Sequence, residues 1–460
     1  MKPLRVLILA EAANPELTSV ALIGYSLSQA LAEVCEAHLV TESRNEAALL
    51  HAGVAPESFT AITNPAQRVA FRLATLLRGG TSLGWTIHSA LSTLAYPIFE
   101  YKVWQRFGAR LKSGEFDVVH RITPLSPTTP CYLAKKLARL GVPLILGPLN
   151  GGIPWPPGFN QVRRAEREWL GYFRDLHRLL PGLSATRDYA AALVLGSRHT
   201  YGEVTAKRAQ REAKAIWLPE NAIDPARFPE VMVEPASPPA GVPLRVAFLG
   251  RLVPYKGADI LLEAALPLLR EGRMTLEIIG DGPQLAELKA RVAQENLGGK
   301  VDFPGWVAHA EVRRHLSSAQ IFAFPSVREF GGGVVLEAMA LGLAPVVIDY
   351  GGPAELIPQD CGTLVPMGNR DAIIRAFHRV LTVLTADPAA VHATGLRAQR
   401  HVRAHFTWAA KARQLLQIYA WALQGTPAPK PDLWVEEKGG QSAAGGAPRM
   451  SDNNIHLECR

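Results

Sequence analysis

SAQIFAFPSVREFGGGVVLEAMALGLAPVVIDYGGPAELI, residues 318–357, is the stretch whose reading decides the fold. Residues 321–324 form an apolar run of strand length that stops at Pro325. A loop over 326–330 leads into Gly331, Gly332 and Gly333. Residues 334–341 then read as a buried helix and 344–348 as the next buried strand. Such a strand–loop–helix–strand unit belongs to a parallel sheet, and its loop lies at the carboxyl end of the strand, where these sheets bind ligands. Glycines there let backbone N–H groups approach a ligand closely, and the new helix presents its positive end. The combination suits an anion such as phosphate.

Two carboxylates flank this anion site. Glu329 stands in the loop and Glu337 about one turn into the helix, with seven residues between them. Glu337 is placed either to cap or pair with a neighbour or to accept hydrogen bonds from two vicinal hydroxyls, as on a ribose. Glu329 is either a solvated loop residue or a negative charge beside a sugar, where it stabilises a developing oxocarbenium ion.

The E-x7-E spacing with an embedded FGG and a following EAMALG resembles the donor-binding motif of retaining glycosyltransferases of family 4. That resemblance implies a GT-B fold: two doubly wound Rossmann-like α/β domains facing across a cleft. Phe330 directly follows Glu329, whereas the family's aromatic usually stands one residue later; Gly332 and Glu337 keep their register. GRL-x-x-x-KG over 250–257 resembles the family's diphosphate loop, with Arg251 and Lys256 as its cations. An arginine holds diphosphate as a fork and a lysine as a point charge. VDFPGWV over 301–307 matches the segment whose backbone pairs with the nucleotide base in relatives, which would place Trp306 and Val307 there. Gly280-Asp281-Gly282-Pro283 is like the family's GDGP turn; Asp281 reads as a cap for a helix over 284–294.

Composition bounds the rest. A chain of 460 residues is too long for one ordinary core, and two domains plus a tail follow. With 48% hydrophobic and 20% charged residues it is a globular composition, and its net charge of +8 favours anionic ligands or an anionic membrane surface. Cysteines at 35, 131, 361 and 459 show neither CxxC nor metal spacing and read as reduced cytosolic thiols. No D-x-D occurs, and no metal or other cofactor is expected. The opening MKPLRVLILAEAANPE reads as a strand and loop rather than a signal peptide. Residues 79–99 lack formal charges but hold too many polar groups for a membrane span; they read as a soluble or interfacial helical region, within a mostly helical 60–112.

In the first half, apolar runs over 4–9, 38–41, 116–120, 142–146 and 192–196 are successive buried strands. Relatives carry a Gly-Gly pair in the first loop, near the donor phosphate; here Ser19 to Gly24 offers Gly24 alone. Relatives often show H-x-H after the 116–120 strand, the second histidine being linked to the donor sugar. Here His120 is followed by Arg121 and Ile122, so His120 or Thr123 would take the role; by its position alone His120 is equally a structural residue. Gly147-Pro148-Leu149-Asn150-Gly151-Gly152 resembles the family's GPxGG substrate loop, or forms a tight turn before IPWPPG. Over 161–180, Arg163, Arg164, Arg167, Arg174 and Arg178 cluster on one helical face opposite aromatic and leucine side chains. Such a helix packs on its own domain, or lies on a membrane surface. PENAID, with Asn221 and Asp224, resembles the segment that closes the first domain in the family.

The domains are expected at 1–235 on the acceptor side, a linker at 236–243, a nucleotide-sugar domain at 244–400, a helix packing back on the first domain at 401–425, and a disordered tail at 426–460. The resemblance implies a metal-independent, retaining enzyme, cytoplasmic or peripheral at the inner membrane face, in cell-envelope glycan synthesis. Its partners would be a nucleotide-sugar donor and a glycan, lipid-linked or small-molecule acceptor, with no nucleic acid. Alternatives are a sugar-nucleotide epimerase, a phosphorylase-like enzyme and a non-catalytic GT-B partner protein.

Overall fold

A computed structural model describes residues 3–65, 83–165, 182–224, 227–228, 241–425 and 428–434. Apolar runs buried on both faces are what a parallel sheet covered by helices requires, and two such sheets form. The first has seven strands: β1 (Arg5–Ala10), β2 (Glu36–Glu42), β3 (Phe59–Ile62), β4 (Val118–Thr123), β5 (Leu144–Leu149), β6 (Ala192–Leu195) and β7 (Ala215–Trp217). Their spatial order is β3-β2-β1-β4-β5-β6-β7. The second has β8 (Leu244–Leu249), β9 (Met274–Ile279), β10 (Val301–Gly305), β11 (Ile321–Phe324), β12 (Ala344–Ile348) and β13 (Thr363–Val365), ordered β10-β9-β8-β11-β12-β13. Every recorded pairing is parallel, so each sheet reverses strand order once: between β1 and β4, and between β8 and β11. Ligands of open α/β sheets bind at that reversal, outside the carboxyl ends of the strands.

Helix Leu83–Lys112 covers the first sheet, burying Tyr96, Phe99, Val103, Phe107 and Leu111 at helical spacing. Among the described residues no helix is long and apolar enough to cross a membrane. Of the basic face expected over 161–180, Arg163 and Arg164 lie in helix Asn160–Ala165; Arg167, Arg174 and Arg178 fall outside the described residues, as does most of the 236–243 linker.

The last helix, Trp408–Gln424, crosses back to the first domain and buries Ala412, Leu415, Ile418, Tyr419 and Trp421 in its core. Ile223 makes the reciprocal move: its N–H donates to the Phe406 carbonyl at 2.7 Å, and its side chain joins the second domain's core. The tail departs from expectation at 428–434. Leu433 is buried, the Trp434 ring lies 5.0 Å from Trp217, and Lys430 Nζ donates to the carbonyls of Glu212 and Ala215. Two apolar side chains anchor a segment whose composition signalled disorder. Asp281 also departs: it accepts from the Gly282 N–H at 2.7 Å, while the helix begins at Leu285 without a side-chain cap.

Candidate functional site

Lys256, Glu329, the three glycines and Glu337 lie on the loops and the helix that follow the strands at the sheet reversal, whereas Trp306 and Val307 follow the edge strand β10. The loop after β8 carries Arg251, which is exposed, and Lys256, which ends a short 3-10 turn, Pro254–Lys256. The loop after the neighbouring strand β11 carries Glu329, and the Lys256 ammonium is hydrogen-bonded to its carboxylate. Both side chains are about four-fifths buried, at 17% and 20% exposure. Residues placed 73 apart in sequence thus form one ion pair, because β8 and β11 lie side by side and end together. Gly331, Gly332 and Gly333 follow, and helix Gly333–Ala340 starts there with its N-terminus at the site.

Glu337 accepts from Arg227 Nη1 and from His309 Nε2, each at 3.1 Å, through Oε1. Its Oε2 is buried with no hydrogen-bond partner among the described residues. Arg227 belongs to the segment joining the domains, so that segment reaches into the expected ribose site. Trp306 is 75% exposed just past the end of β10, while Val307 is half-buried against the second core. An exposed tryptophan face can stack on a nucleobase.

Across the cleft, the first domain's 150–156 loop lies on the 326–330 loop. Arg328 Nε donates to the Ile153 carbonyl at 3.1 Å, and its guanidinium sits 4.9 Å from the Trp155 ring. Tyr350 donates to the Pro154 carbonyl at 2.8 Å, and Glu355 accepts from the Arg198 N–H and Trp217 Nε1. Asn221 rests against Gly331 and Gly333, where a Cβ on Gly331 would collide with the Asn221 amide and the Glu220 carboxylate.

Four predicted first-domain residues have other positions than expected. His120 sits mid-strand, paired to Ile8 on one side and Ile145 on the other, because β4 runs on to Thr123. It is fully buried, with Nε2 2.6 Å from the Gly147 carbonyl and Nδ1 2.6 Å from the Tyr419 hydroxyl. A carbonyl only accepts, so Nε2 carries the hydrogen and Nδ1 accepts from Tyr419. Both nitrogens are engaged, and the geometry gives His120 the job of tying the returning helix to the first sheet. Gly147 lies within β5 rather than in a loop; a Cβ there would strike the Val194 carbonyl of the adjacent strand. Gly24 lies in helix Val20–Ala32, pressed on the Ala12 carbonyl, so it packs the helix rather than meeting a ligand. Asn150 is 8% exposed, with its amide turned to Glu220 rather than to the open cleft. Ser19, exposed at that helix's start, and Gly151, half-exposed in the 150–156 loop, stay near the surface.

Burial pulls the His120 imidazole down to about 4. A histidine depressed in the fold binds its proton more readily when unfolded, so stability carried by the neutral ring is lost as pH falls from 6.5 toward about 4. His120→Gln keeps a donor and an acceptor without titrating. Its unfolding free energy should therefore decline less over that window than the wild type's, by on the order of 3 kcal/mol at the acid end. Chemical denaturation at pH 7 and pH 4.5 reads the difference; parallel slopes would remove His120 from the acid response.

Glu220 and Lys411 are functional-site neighbours that sequence reading missed. Glu220, 5% exposed, accepts from the Asn150 amide through both carboxylate oxygens, at 2.8 and 2.9 Å. Burial raises its pKa against the opposing pull of Asn150 and Lys411. Lys411 is 2% exposed, and its Nζ has no hydrogen-bond partner among the described residues. Burial pulls its pKa down to about 7, against the pull of Glu220. The PEN tripeptide offered no signal, since both partners are distant in sequence.

Two doubly wound parallel-sheet domains facing across a cleft, with the site at the sheet reversal, define the GT-B class of fold. Residues 243–383, all within the second domain, match the family model described as Glycosyl transferases group 1. The chain is 32% identical over 200 residues to a D-inositol 3-phosphate glycosyltransferase of Kineococcus radiotolerans, covering 38% of this chain and 44% of that protein. It is 32% identical over 184 residues to the amylovoran biosynthesis glycosyltransferase AmsK of Erwinia amylovora, again covering 38% and 44%. The chain thus spans less than half the length of these curated relatives. Among solved structures, Anabaena HepE in complex with UDP superposes with a TM-score of 0.59 at 16% identity, over 91% of this chain and 100% of that one. The sucrose-phosphate synthase of Thermosynechococcus elongatus superposes with a TM-score of 0.55 at 19% identity, over 92% and 99%. At these identities the likeness concerns fold.

Proposed function

We propose that this chain is a metal-independent, retaining glycosyltransferase that moves a sugar from a nucleoside diphosphate to a hydroxyl acceptor. The observation that carries the reading is the convergence of Lys256, Glu329, Glu337 and the helix end at 331–333 on one sheet reversal. Lys256 and the helix N-terminus supply positive charge for the diphosphate, and exposed Arg251 can swing onto it from the rim. Glu337 Oε2 is free to accept from a ribose hydroxyl, with Trp306 and Val307 near the base. In the reaction the anomeric C–O bond to phosphate breaks and a bond to the acceptor oxygen forms. With front-side attack the acceptor proton passes to the leaving phosphate oxygen, and configuration is retained. Glu329 supplies the negative charge that stabilises the oxocarbenium ion between these events.

The acceptor side is the first domain, and a glycan, lipid-linked or small-molecule hydroxyl suits it. The name of one relative describes inositol 3-phosphate, a hydroxyl-bearing molecule, and that of another describes amylovoran biosynthesis. A cytoplasmic enzyme, peripheral at the membrane and serving cell-envelope polysaccharide, fits this reading.

A hydrolysis screen over UDP- and GDP-sugars, with product anomers followed by NMR, tests it. Inverted product would remove the retaining mechanism, and interconversion of sugars without acceptor would favour an epimerase. Side chains and a helix end meet the leaving-group charge, so turnover in EDTA should equal turnover in magnesium. A strict magnesium requirement would overturn that part.

A further inference from the structure

We propose that Asn150 is a positioning residue: from the first domain it holds the catalytic loop of the second through the Phe330 carbonyl, with Glu220 aiming its amide. This rests on the glycosyltransferase reading for its consequence in turnover, though not for the contact itself.

Asn150 Nδ2 donates to Glu220 Oε1 at 2.8 Å, to Glu220 Oε2 at 2.9 Å and to the Phe330 carbonyl at 3.1 Å. All three neighbours accept, which fixes the orientation of the amide: only its NH2 side fits there. Phe330 lies between Glu329 and Gly331, so its carbonyl is one peptide from the carboxylate assigned to the reacting sugar. Asn150 directly follows β5, Glu220 lies in the segment after β7, and Phe330 lies in the loop after β11. One amide therefore bridges the two domains at the loop that carries the chemistry.

The surroundings are shaped for the Glu220 carboxylate. A Cβ on Gly196 would collide with Glu220 Oε2, and one on Gly331 with Glu220 Oε1. Two glycines from different domains make room for the same group. Lys411, buried and without a hydrogen-bond partner among the described residues, balances its charge from the returning helix. Asn150 and Glu220 are each more than nine-tenths buried, so the pair is shielded from competing water. A misplacement of about 1 Å in a catalytic group can cost about 10²-fold in rate, which is the scale on which this contact matters.

A reversed pair separates positioning from mere support. In Asn150→Asp/Glu220→Gln the new amide at 220 donates to the new carboxylate at 150, so the pair survives. The carboxylate at 150 has no N–H for Phe330, so the bridge to the loop is lost. The double variant should regain most of the melting temperature that Asn150→Asp alone loses. Amide hydrogen exchange over 329–333, measured without ligand, should stay faster than wild type by at least about tenfold. Hydrolysis of UDP-glucose or GDP-mannose, whichever the wild type accepts, should stay about 10- to 100-fold low in kcat with a smaller change in KM. Recovery of exchange protection and kcat together with melting temperature would overturn the proposal. Should the reversed pair not fold, Asn150→Ala/Glu220→Ala removes both partners and leaves no unpaired carboxylate; wild-type exchange and kcat there would overturn it equally. A wild type that binds neither UDP nor GDP defeats the glycosyltransferase reading, while the exchange measurement still decides the bridge.

Discussion

Glu329→Gln is expected to lower kcat by about 10²–10³, or about 3–4 kcal/mol in the barrier, with a smaller change in KM. Glutamine keeps the shape and part of the hydrogen bonding, so the substitution isolates the charge. That charge meets positive character that develops only as the glycosidic bond breaks, which is why the loss falls on kcat. The structure sharpens the expectation, because Glu329 is paired with Lys256 and only 20% exposed. A carboxylate held in a fixed direction by a buried cation needs little reorganisation at the moment of reaction. Glu337→Gln is the control: ribose hydroxyls are bound alike in ground and transition states, so its loss should raise KM and spare kcat. Steady-state kinetics on both variants with the accepted donor reads the contrast. Near-normal kcat in Glu329→Gln would end the catalytic assignment.

Lys256→Ala is expected to weaken nucleoside diphosphate binding by about 2–5 kcal/mol, because a largely desolvated cation is lost from beside phosphate. Arg251→Ala should cost less, about 1 kcal/mol, since Arg251 stands exposed at the rim and is screened by water. Removing Lys256 also leaves Glu329 without its partner, so the two substitutions will not add. In the Lys256→Ala/Glu329→Gln double variant, diphosphate affinity should exceed that of Lys256→Ala alone, because the unpaired carboxylate repels the diphosphate. Calorimetry with UDP and GDP measures each effect. Unchanged affinity in Lys256→Ala would take Lys256 out of the site.

How far the sequence could be read depended on how local each feature was. Runs such as 244–249, 321–324 and 344–348 became strands at those bounds, since burial on both faces leaves a continuous apolar signature. Two doubly wound sheets followed from the alternation of such runs with helices, and the return of the last helix was what the family resemblance implied. In the second domain the candidate residues Lys256, Glu329, the glycines and Glu337 could be singled out because they sit in or just after loops that follow strands. Their partners were another matter. That Lys256 meets Glu329, and that Arg227 meets Glu337, depends on which strands are neighbours and on how the joining segment runs.

The first domain was less legible, for the same reason. His120 looked like a strand-end residue until β4 proved to end three residues later, at Thr123, and Tyr419, 299 positions away, closed over it. Gly147 and Gly24 are glycines because backbone from another strand or loop presses on them, which a linear pattern does not record. Asn150 appeared to face a ligand, but packing turned it onto Glu220 and across the cleft to Phe330. The sequence by itself determined the fold class, two doubly wound parallel-sheet domains, because continuous apolar runs alternating with helices leave that signature along the chain. Only the tertiary structure decided which charges pair, which histidine nitrogen accepts and which contacts join the domains, because those follow from side chains that converge from strands far apart in the chain.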